Sequence, residues 1–471
     1  MLSVLSFPKS SEVQQAFQKL KAGAPFPTAD EREDRLERLE ELLVKHREKL
    51  VAACDADFGG RSRNESLIVD VVLTLESVRD ARRNVRRWME RTKVRPHVGF
   101  LGSAAYVEHV PKGVVGILAP WNYPVNLALG PLAAALAAGN RALVKPSELT
   151  PNVSAAIAAA VREHFTAEEV AVVEGGPDVA QAVTRLPLDH LFFTGSTQVG
   201  KLVARAAAEN LVPVTLELGG KSPAYVQADY PVAVAAQRIA IGKLFNGGQT
   251  CVAPDWVLLR EGKEAVFAEA FRLAVAEHWG RAPLTSMATE RGLERMRALL
   301  ADARAKGARC EEIDCATGAR GIKPTLVFHV RDDMRLMQEE IFGPLLPIVS
   351  YRDDADALAR IAARPAPLAF YVFDEDEARA GQTVARVPCG GACINDTLAH
   401  FANEELPFGG FGQSGIGRYH GRYGFETFSH AKGVLVSSPV SVARRLYSPD
   451  AGALVDRAMG FVTSRWGRLI R

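Results

Sequence analysis

Cys251 closes the segment Asn246-Gly247-Gly248-Gln249-Thr250-Cys251, whose glycines predict a weakly structured bend just after a helix. A thiol held there can reach a substrate, and as a thiolate in a favourable electrostatic setting it is a strong nucleophile. Upstream, Glu217 ends the apolar run Val214-Thr215-Leu216-Glu217, and the backbone loosens through Leu218-Gly219-Gly220-Lys221-Ser222-Pro223. A carboxylate so placed can act as a general base that activates water to hydrolyse a thioester. The two segments together predict covalent catalysis on a carbonyl group. Taken singly, a free cysteine is more often a buried inert thiol, and a strand-end glutamate an ion-paired acid.

Other segments have the form of cofactor contacts. Phe193-Thr194-Gly195-Ser196-Thr197-Gln198-Val199-Gly200-Lys201 reads as a strand, a glycine turn and a helix start, able to aim backbone N–H groups at a pyrophosphate. It meets the GxxxxGK part of a P-loop, but Leu202 stands where a hydroxyl must bind magnesium, which argues against a nucleoside triphosphatase. An ordinary turn fits the segment equally well. Lys145-Pro146-Ser147-Glu148 alone reads as a solvated loop. Glu340-Ile341-Phe342-Gly343-Pro344 alone reads as a strand-end turn with a core aromatic. Asn122, in Pro120-Trp121-Asn122-Tyr123-Pro124, could simply stabilise a turn.

Together these motifs resemble those of the aldehyde dehydrogenase superfamily, over residues 35–434. The Pro120 to Pro124 motif, Gln249-Thr250-Cys251-Val252-Ala253-Pro254-Asp255 and Tyr419-His420-Gly421 are similar to the class 3 branch. Asp57-Phe58-Gly59-Gly60-Arg61-Ser62 is similar to coniferyl aldehyde dehydrogenases. The resemblance implies an α/β protein with a Rossmann-type dinucleotide-binding lobe, an α/β catalytic lobe and a small oligomerisation arm. It implies Cys251 as nucleophile, Glu217 as hydrolytic base, and Asn122 with the Cys251 N–H facing the developing oxyanion. Gly195, Ser196 and Gly200 match the family's phosphate loop, and Lys145 and Glu148 the pair at the adenosine ribose. Glu340 matches the residue that holds the nicotinamide ribose, Phe342 packs near the nicotinamide, and Trp121 joins the cofactor set. A carboxylate at position 148 accepts hydrogen bonds from a free 2′-hydroxyl and repels a 2′-phosphate, so NAD is the expected cofactor, with NADP also accepted.

The implied substrate is a small-molecule aldehyde oxidised to its carboxylic acid, aromatic such as coniferyl aldehyde or medium-chain aliphatic, and the implied assembly is a homodimer. Two rivals remain. In a CoA-acylating enzyme a thiol replaces water, a transfer that does not need the base Glu217 supplies; a non-catalytic protein would have no reason to keep every matching position.

The elements that must position these groups follow from periodicity. Thr28-Ala29-Asp30-Glu31 has capping-box form, with Leu36, Leu39, Leu43 and Leu50 at helical spacing behind it. A second helical region is expected over 65–91 and an alternating strand over 105–110. Short β-branched runs at 114–118, 142–144, 170–173 and 190–194 alternate with helical stretches, the pattern of a covered parallel sheet. A second αβ series starts near Ser222. The expected division is 1–93 with 113–217 as the NAD-binding domain, 218–394 as the catalytic domain, 94–112 with 395–434 as the arm, and 435–471 as an amphipathic tail.

At 471 residues the chain exceeds one ordinary core, and a formal charge of +2 offers no electrostatic support for nucleic-acid binding. Six scattered cysteines favour a reducing compartment, the cytoplasm. Cys310/Cys315 and Cys389/Cys393 lack CxxC spacing and a histidine partner motif, so no metal site is expected. Glu339, His400, His420 and His430 read as structural. The start of the chain lacks signal-peptide form, and the apolar stretch 125–139 falls short of the roughly 20 residues of a membrane span. In the tail, Arg444, Arg445, Arg457, Arg465, Arg468 and Arg471 interleave with Leu446, Leu454, Val455, Met459, Phe461, Val462 and Trp466. That pattern suits an amphipathic helix, and the resemblance to the class 3 branch implies a lid over the substrate entrance, with simple docking or peripheral contact with an anionic membrane as alternatives.

Overall fold

The computed structural model describes residues 8–96, 100, 102–439 and 448–464. Its first long helix, Ala29–Phe58, opens on the expected capping box: Thr28 N donates to Glu31 Oε2 at 2.6 Å, and Glu31 N to Thr28 Oγ1 at 3.3 Å. It ends at Gly59 in the left-handed region, φ 64°. Leu36, Leu39, Leu43 and Leu50 are fully buried. The second helical region is interrupted: Arg63–Glu65 leads into a π-helical stretch, Ser66–Val72, before Leu73–Met89. A π-turn widens the helix locally, a change that 3.6-residue periodicity cannot reveal.

The six-stranded sheet runs Gly415–Ile416, Val214–Glu217, His190–Thr194, Val114–Leu118, Arg141–Lys145, Val170–Val172. Five of these strands are parallel, with the first in sequence at the centre, the doubly wound order in which ligands bind beyond the carboxyl ends of the strands. The short strand Gly415–Ile416 is antiparallel to the edge and pairs with Glu217 and Leu216. It belongs to the stretch expected to form the arm, so that stretch also helps build the six-stranded sheet. The apolar stretch 125–139, too short for a membrane span, folds as the buried helix Asn126–Ala137.

A seven-stranded sheet follows, in the order Arg309–Glu312, Thr325–Phe328, Leu345–Tyr351, Trp256–Arg260, Pro223–Val226, Ala369–Phe373, Gly391–Ile394. All but the first of its strands are parallel. The central strands of both sheets are buried along their whole length, as covered parallel sheets require. Thr92–Val94, Ala104–Pro111 and Ser429–Val436 form a separate three-stranded antiparallel sheet. Of the tail, Gly452–Thr463 is a helix with none of its residues buried. Arg444, Arg445, Leu446, Arg465, Trp466, Arg468 and Arg471 lie outside the described residues. Among the described residues no helix is long and apolar enough to cross a membrane.

Helix Ala29–Phe58 is fastened to the six-stranded sheet at Glu169, whose carboxylate lies 3.1 Å from Arg35 Nε and 2.8 Å from Arg38 Nη2. Burial acts to raise the Glu169 pKa, but Arg38, the Thr166 N–H and Arg35 outweigh it and bring the group from 4.5 down to about 2. Glu169→Gln is expected to lower unfolding free energy by about 2 to 3 kcal/mol at neutral pH. A depressed folded-state pKa gives stabilisation that is present above 4.5 and lost as pH falls toward about 2. Chemical denaturation of wild type and variant across that window should show the gap between them closing.

Candidate active site

Helix Val232–Leu244 runs into a tight turn, Phe245–Gly248, in which Asn246, Gly247 and Gly248 take φ of 55°, 61° and 78°. Asparagine and glycine are the residues that tolerate this left-handed backbone. A side chain at Gly248 would strike the Gly343 carbonyl, so the turn packs directly on the 340–344 segment. Buried polar groups hold it from four sides. Asn122 Nδ2 donates to Gln249 O at 3.1 Å, and Asn246 Nδ2 donates to Asn122 O at 2.9 Å. Asn246 N donates to Glu65 Oε1 at 3.2 Å, and Tyr123 Oη pairs with Thr250 Oγ1 at 2.5 Å. Gln249, fully buried, donates to Asn246 O and Ser286 O at 2.9 and 3.0 Å and accepts from Ala288 N at 2.9 Å.

Behind Asn122 lies a buried ion pair, Arg61 Nη2 to Asp70 Oδ2 at 2.9 Å. The guanidinium is stacked between the Phe58 and Tyr123 rings, 4.8 and 5.2 Å from their centroids. Asp70 Oδ1 accepts from Val125 N and Asn126 N at 3.0 and 3.1 Å, capping the chain as it enters the helix after Asn122. Asp70 reaches this position from the π-helical stretch.

Cys251 is partly buried beside this network. Burial, with the Glu340 and Glu217 carboxyl groups adding to it, pushes the thiol up to about 12. Glu217 sits at the end of its strand, 3% exposed, and neither carboxyl oxygen has a hydrogen-bond partner among the described residues. Burial without a partner holds its pKa well above the ordinary carboxylate range.

The remaining predicted residues lie along the carboxyl ends of the six-stranded sheet and on the 340–344 segment. Lys145 ends a central strand, buried, and its Nζ donates to Glu148 Oε2 at 2.6 Å while Glu148 stays exposed. Ser196 caps helix Thr197–Ala208, its hydroxyl accepting from Val199 N at 3.4 Å. Gly195 lies against the Phe193 ring, and Gly200 lets the helix approach Leu218, whose Cδ2 would be 2.6 Å from an added Cβ. Thr194 Oγ1, just before the turn, is buried without a partner. Glu340 is raised to about 8 by burial and Asp255, against the Gly220 N–H, Lys221 and Arg295. Its carboxyl presses on Gly219, where any side chain would collide with it. Phe342 has φ 52° and meets Trp121 edge-on, ring centroids 5.4 Å apart, with Phe58 6.3 Å beyond Trp121.

Sequence reading missed Glu65, Asp70 and the bridging role of Gln249. Each has backbone partners distant along the chain, at Asn246, at Val125 and Asn126, and at Ser286 and Ala288, which no local spacing encodes. It also missed how Asp255 organises this region: Lys221 pairs with Oδ2, and Oδ1 accepts from Ile341 N at 3.0 Å. Glu339 is bound by Arg295 and Arg335 at the periphery. His400 and His420 are buried among Tyr371, Phe401, Phe408 and Tyr419, and His430 lies in an edge strand.

Residues 8–434 match the aldehyde dehydrogenase family, and the chain belongs to it. It is an oxidoreductase that converts aldehydes to carboxylic acids. It is 46% identical over 416 residues to the coniferyl aldehyde dehydrogenase of a Pseudomonas species, covering 86% of each chain. The substrate-bound structure of Staphylococcus aureus AldH is similar with a TM-score of 0.88 at 38% identity, over 96% of this chain and 99% of that one. An NAD+ complex of aldehyde dehydrogenase from Bacillus cereus gives 0.82 at 27% identity, over 91% and 89%.

Gln249→Ala would strand two buried backbone groups, Ser286 O and Ala288 N, each costing roughly 1 to 3 kcal/mol, and would remove one of the two donors to Asn246 O. We expect a marked fall in Tm and, because the Cys251 turn loses its anchor, a kcat that drops while cofactor affinity is retained. Thermal unfolding and steady-state kinetics check both.

Proposed function

We propose that the protein oxidises aldehydes with NAD through a covalent adduct on Cys251 and hydrolyses the resulting thioester with Glu217 as base. The observation that carries this reading is the buried, unpartnered Glu217 carboxyl, close enough to Cys251 to act on the charge of its thiol. An ion-paired acid would gain nothing from that position, whereas a base needs free lone pairs and a raised pKa to take a proton from water. Asn122 supplies the complementary charge. A primary amide carries two N–H donors, one of which is bound to Gln249 O; the other, with the Cys251 N–H, faces the oxygen that becomes negative on attack.

The site fits a dinucleotide. Ser196 and the helix it caps offer N–H groups to the pyrophosphate, Lys145 and Glu148 hold the adenosine ribose, and Glu340, braced on Gly219 and Gly220, holds the nicotinamide ribose. Phe342 and Trp121 wall the nicotinamide side. Oxidised nicotinamide, when bound, contributes a positive charge near the thiol and accepts the hydride. Cys251 forms the carbon–sulfur bond, Asn122 steadies the oxyanion, and Glu217 removes the proton from the water that releases the acid. We further propose aromatic aldehydes such as coniferyl aldehyde as substrates, supported by the Pseudomonas relative and the Asp57 to Ser62 motif. A homodimer built on the arm would cover the exposed edge strand Ser429–Val436.

Incubation with coniferyl aldehyde and NAD should yield NADH and free acid without CoA; product only with CoA would transfer the reading to an acylating enzyme. Cys251→Ala should abolish NADH formation with NAD binding retained. Glu217→Gln should keep a first burst of NADH and then turn over slowly, since hydride leaves before water enters. Unchanged steady-state turnover in that variant would remove Glu217 as the base.

Cofactor choice tests Glu148 separately. NAD should have the higher kcat/KM, and Glu148→Gln should narrow its lead by weakening repulsion of the 2′-phosphate. A wild-type preference for NADP of tenfold, about 1.4 kcal/mol, would displace Glu148 from the ribose.

A further inference from the structure

We propose that His46, Glu163 and His164 form a binding site for one zinc ion, separate from the Cys251 centre. His46 belongs to helix Ala29–Phe58, and Glu163 and His164 end helix Pro151–His164. Their ligand-capable atoms lie within 4.8 Å of one another. Because the residues come from two helices, no spacing along the chain announces them.

The two imidazoles are already poised as ligands. His164 Nδ1 is 2.9 Å from the Ala160 carbonyl, which can only accept, so in the neutral ring Nδ1 carries the proton and Nε2 keeps a lone pair. Metal-bound histidines are held in this way, the second ring nitrogen donating to a carbonyl or carboxylate. His46 Nε2 lies 3.1 Å from Glu163 Oε2, yet it is buried and makes no well-directed hydrogen bond. The ring centroids are 5.5 Å apart and the planes cross at 82°. Two imidazoles sharing a tetrahedral ion through metal–nitrogen bonds of about 2 Å would place their centroids roughly 5 Å apart.

The carboxylate divides its work. Glu163 pairs with Lys45 through Oε1 and presents Oε2 to His46, so an ion can bind Oε2 while Lys45 stays in place. His164 also lines an open cavity of about 570 Å³, walled by Glu37, Glu40 and Glu41 together with Lys45, Arg47 and Arg82, so the imidazole is reachable from solvent. Two imidazole nitrogens, one carboxylate oxygen and a solvent-facing fourth position suit zinc, whereas calcium and magnesium prefer all-oxygen sites. A bound ion would clamp the two helices and leave the reacting groups untouched.

The test is calorimetric titration of zinc into the full-length chain after chelator treatment and dialysis, with cobalt(II) absorption as the second readout. We expect one equivalent bound per chain, a Tm that rises with the logarithm of free zinc, and a cobalt spectrum without thiolate charge-transfer bands. His46→Gln and His164→Gln should each weaken binding by about tenfold or more, while the metal-free Tm and NADH turnover stay at the wild-type level. Absence of zinc binding would overturn the proposal. So would binding unaffected by the two histidine variants, or a cobalt spectrum dominated by thiolate ligation from the free cysteines.

Discussion

The left-handed turn at Asn246, Gly247 and Gly248 is the constraint on which the site depends. It ends one helix, reverses the chain inside the protein, and delivers Cys251 between the Glu217 strand end and the 340–344 segment. A reversal this tight exposes backbone polar groups where no water competes, and each must find a partner. Glu65, Asn122 and the Gln249 side chain supply those partners. Asn122 therefore closes the turn that carries Cys251 with one amide N–H, and the second N–H is the donor that the proposed mechanism assigns to the oxyanion. The ion pair of Arg61 and Asp70, stacked between aromatic rings, sets the backbone on which Asn122 sits.

Electrostatics explain why such a thiol need not be reactive at rest. Two carboxyl groups, Glu217 buried and Glu340 partly so, act on Cys251, and both are pushed toward their protonated forms, as is the thiol itself. The nearby cations are committed elsewhere. Lys221 is bound to Asp255 and to the Leu336 and Glu339 carbonyls, and Lys243 is fully buried 4.0 Å from Asp255, with its own pKa lowered to about 8 by burial. A positive charge brought to the site would favour the thiolate.

Much of this was legible from sequence, for identifiable reasons. The strand at His190–Thr194 has the expected bounds, and the capping box forms at Thr28, because those signals are local. Cys251, Glu217 and Asn122 stood out because their glycine- and proline-rich settings are unusual for plain core residues. What stayed hidden is what long-range contacts decide. The π-helical stretch that turns Asp70 inward has no periodic signature. Glu65 looks like any helical acid until Asn246 and Thr285 are brought to it. The pairing of Gly415–Ile416 with the Glu217 strand depends on two residues, too short a run for alternation to show. His46 meets His164 only after two helices pack.

The five residues from Leu218 to Ser222 show how the two large sheets are made to share one site. The chain leaves one sheet at Glu217 and enters the other at Pro223, so Glu217 stands at the seam by connectivity alone. Each residue in between is pinned: Leu218 N donates to Ser414 O at 3.0 Å, and Leu218 packs under Gly200 of the capped helix. Gly219 admits the Glu340 carboxyl, Gly220 donates its N–H to it, and Lys221 ties down Asp255. A side chain at 219 would move Glu340, and through the shared strand end would disturb Glu217 as well. The glycines are there for close approach rather than for looseness. The connection that looks flexible in sequence is the segment whose close contacts hold the Glu217 strand end, the Glu340 carboxyl and Asp255 in one arrangement.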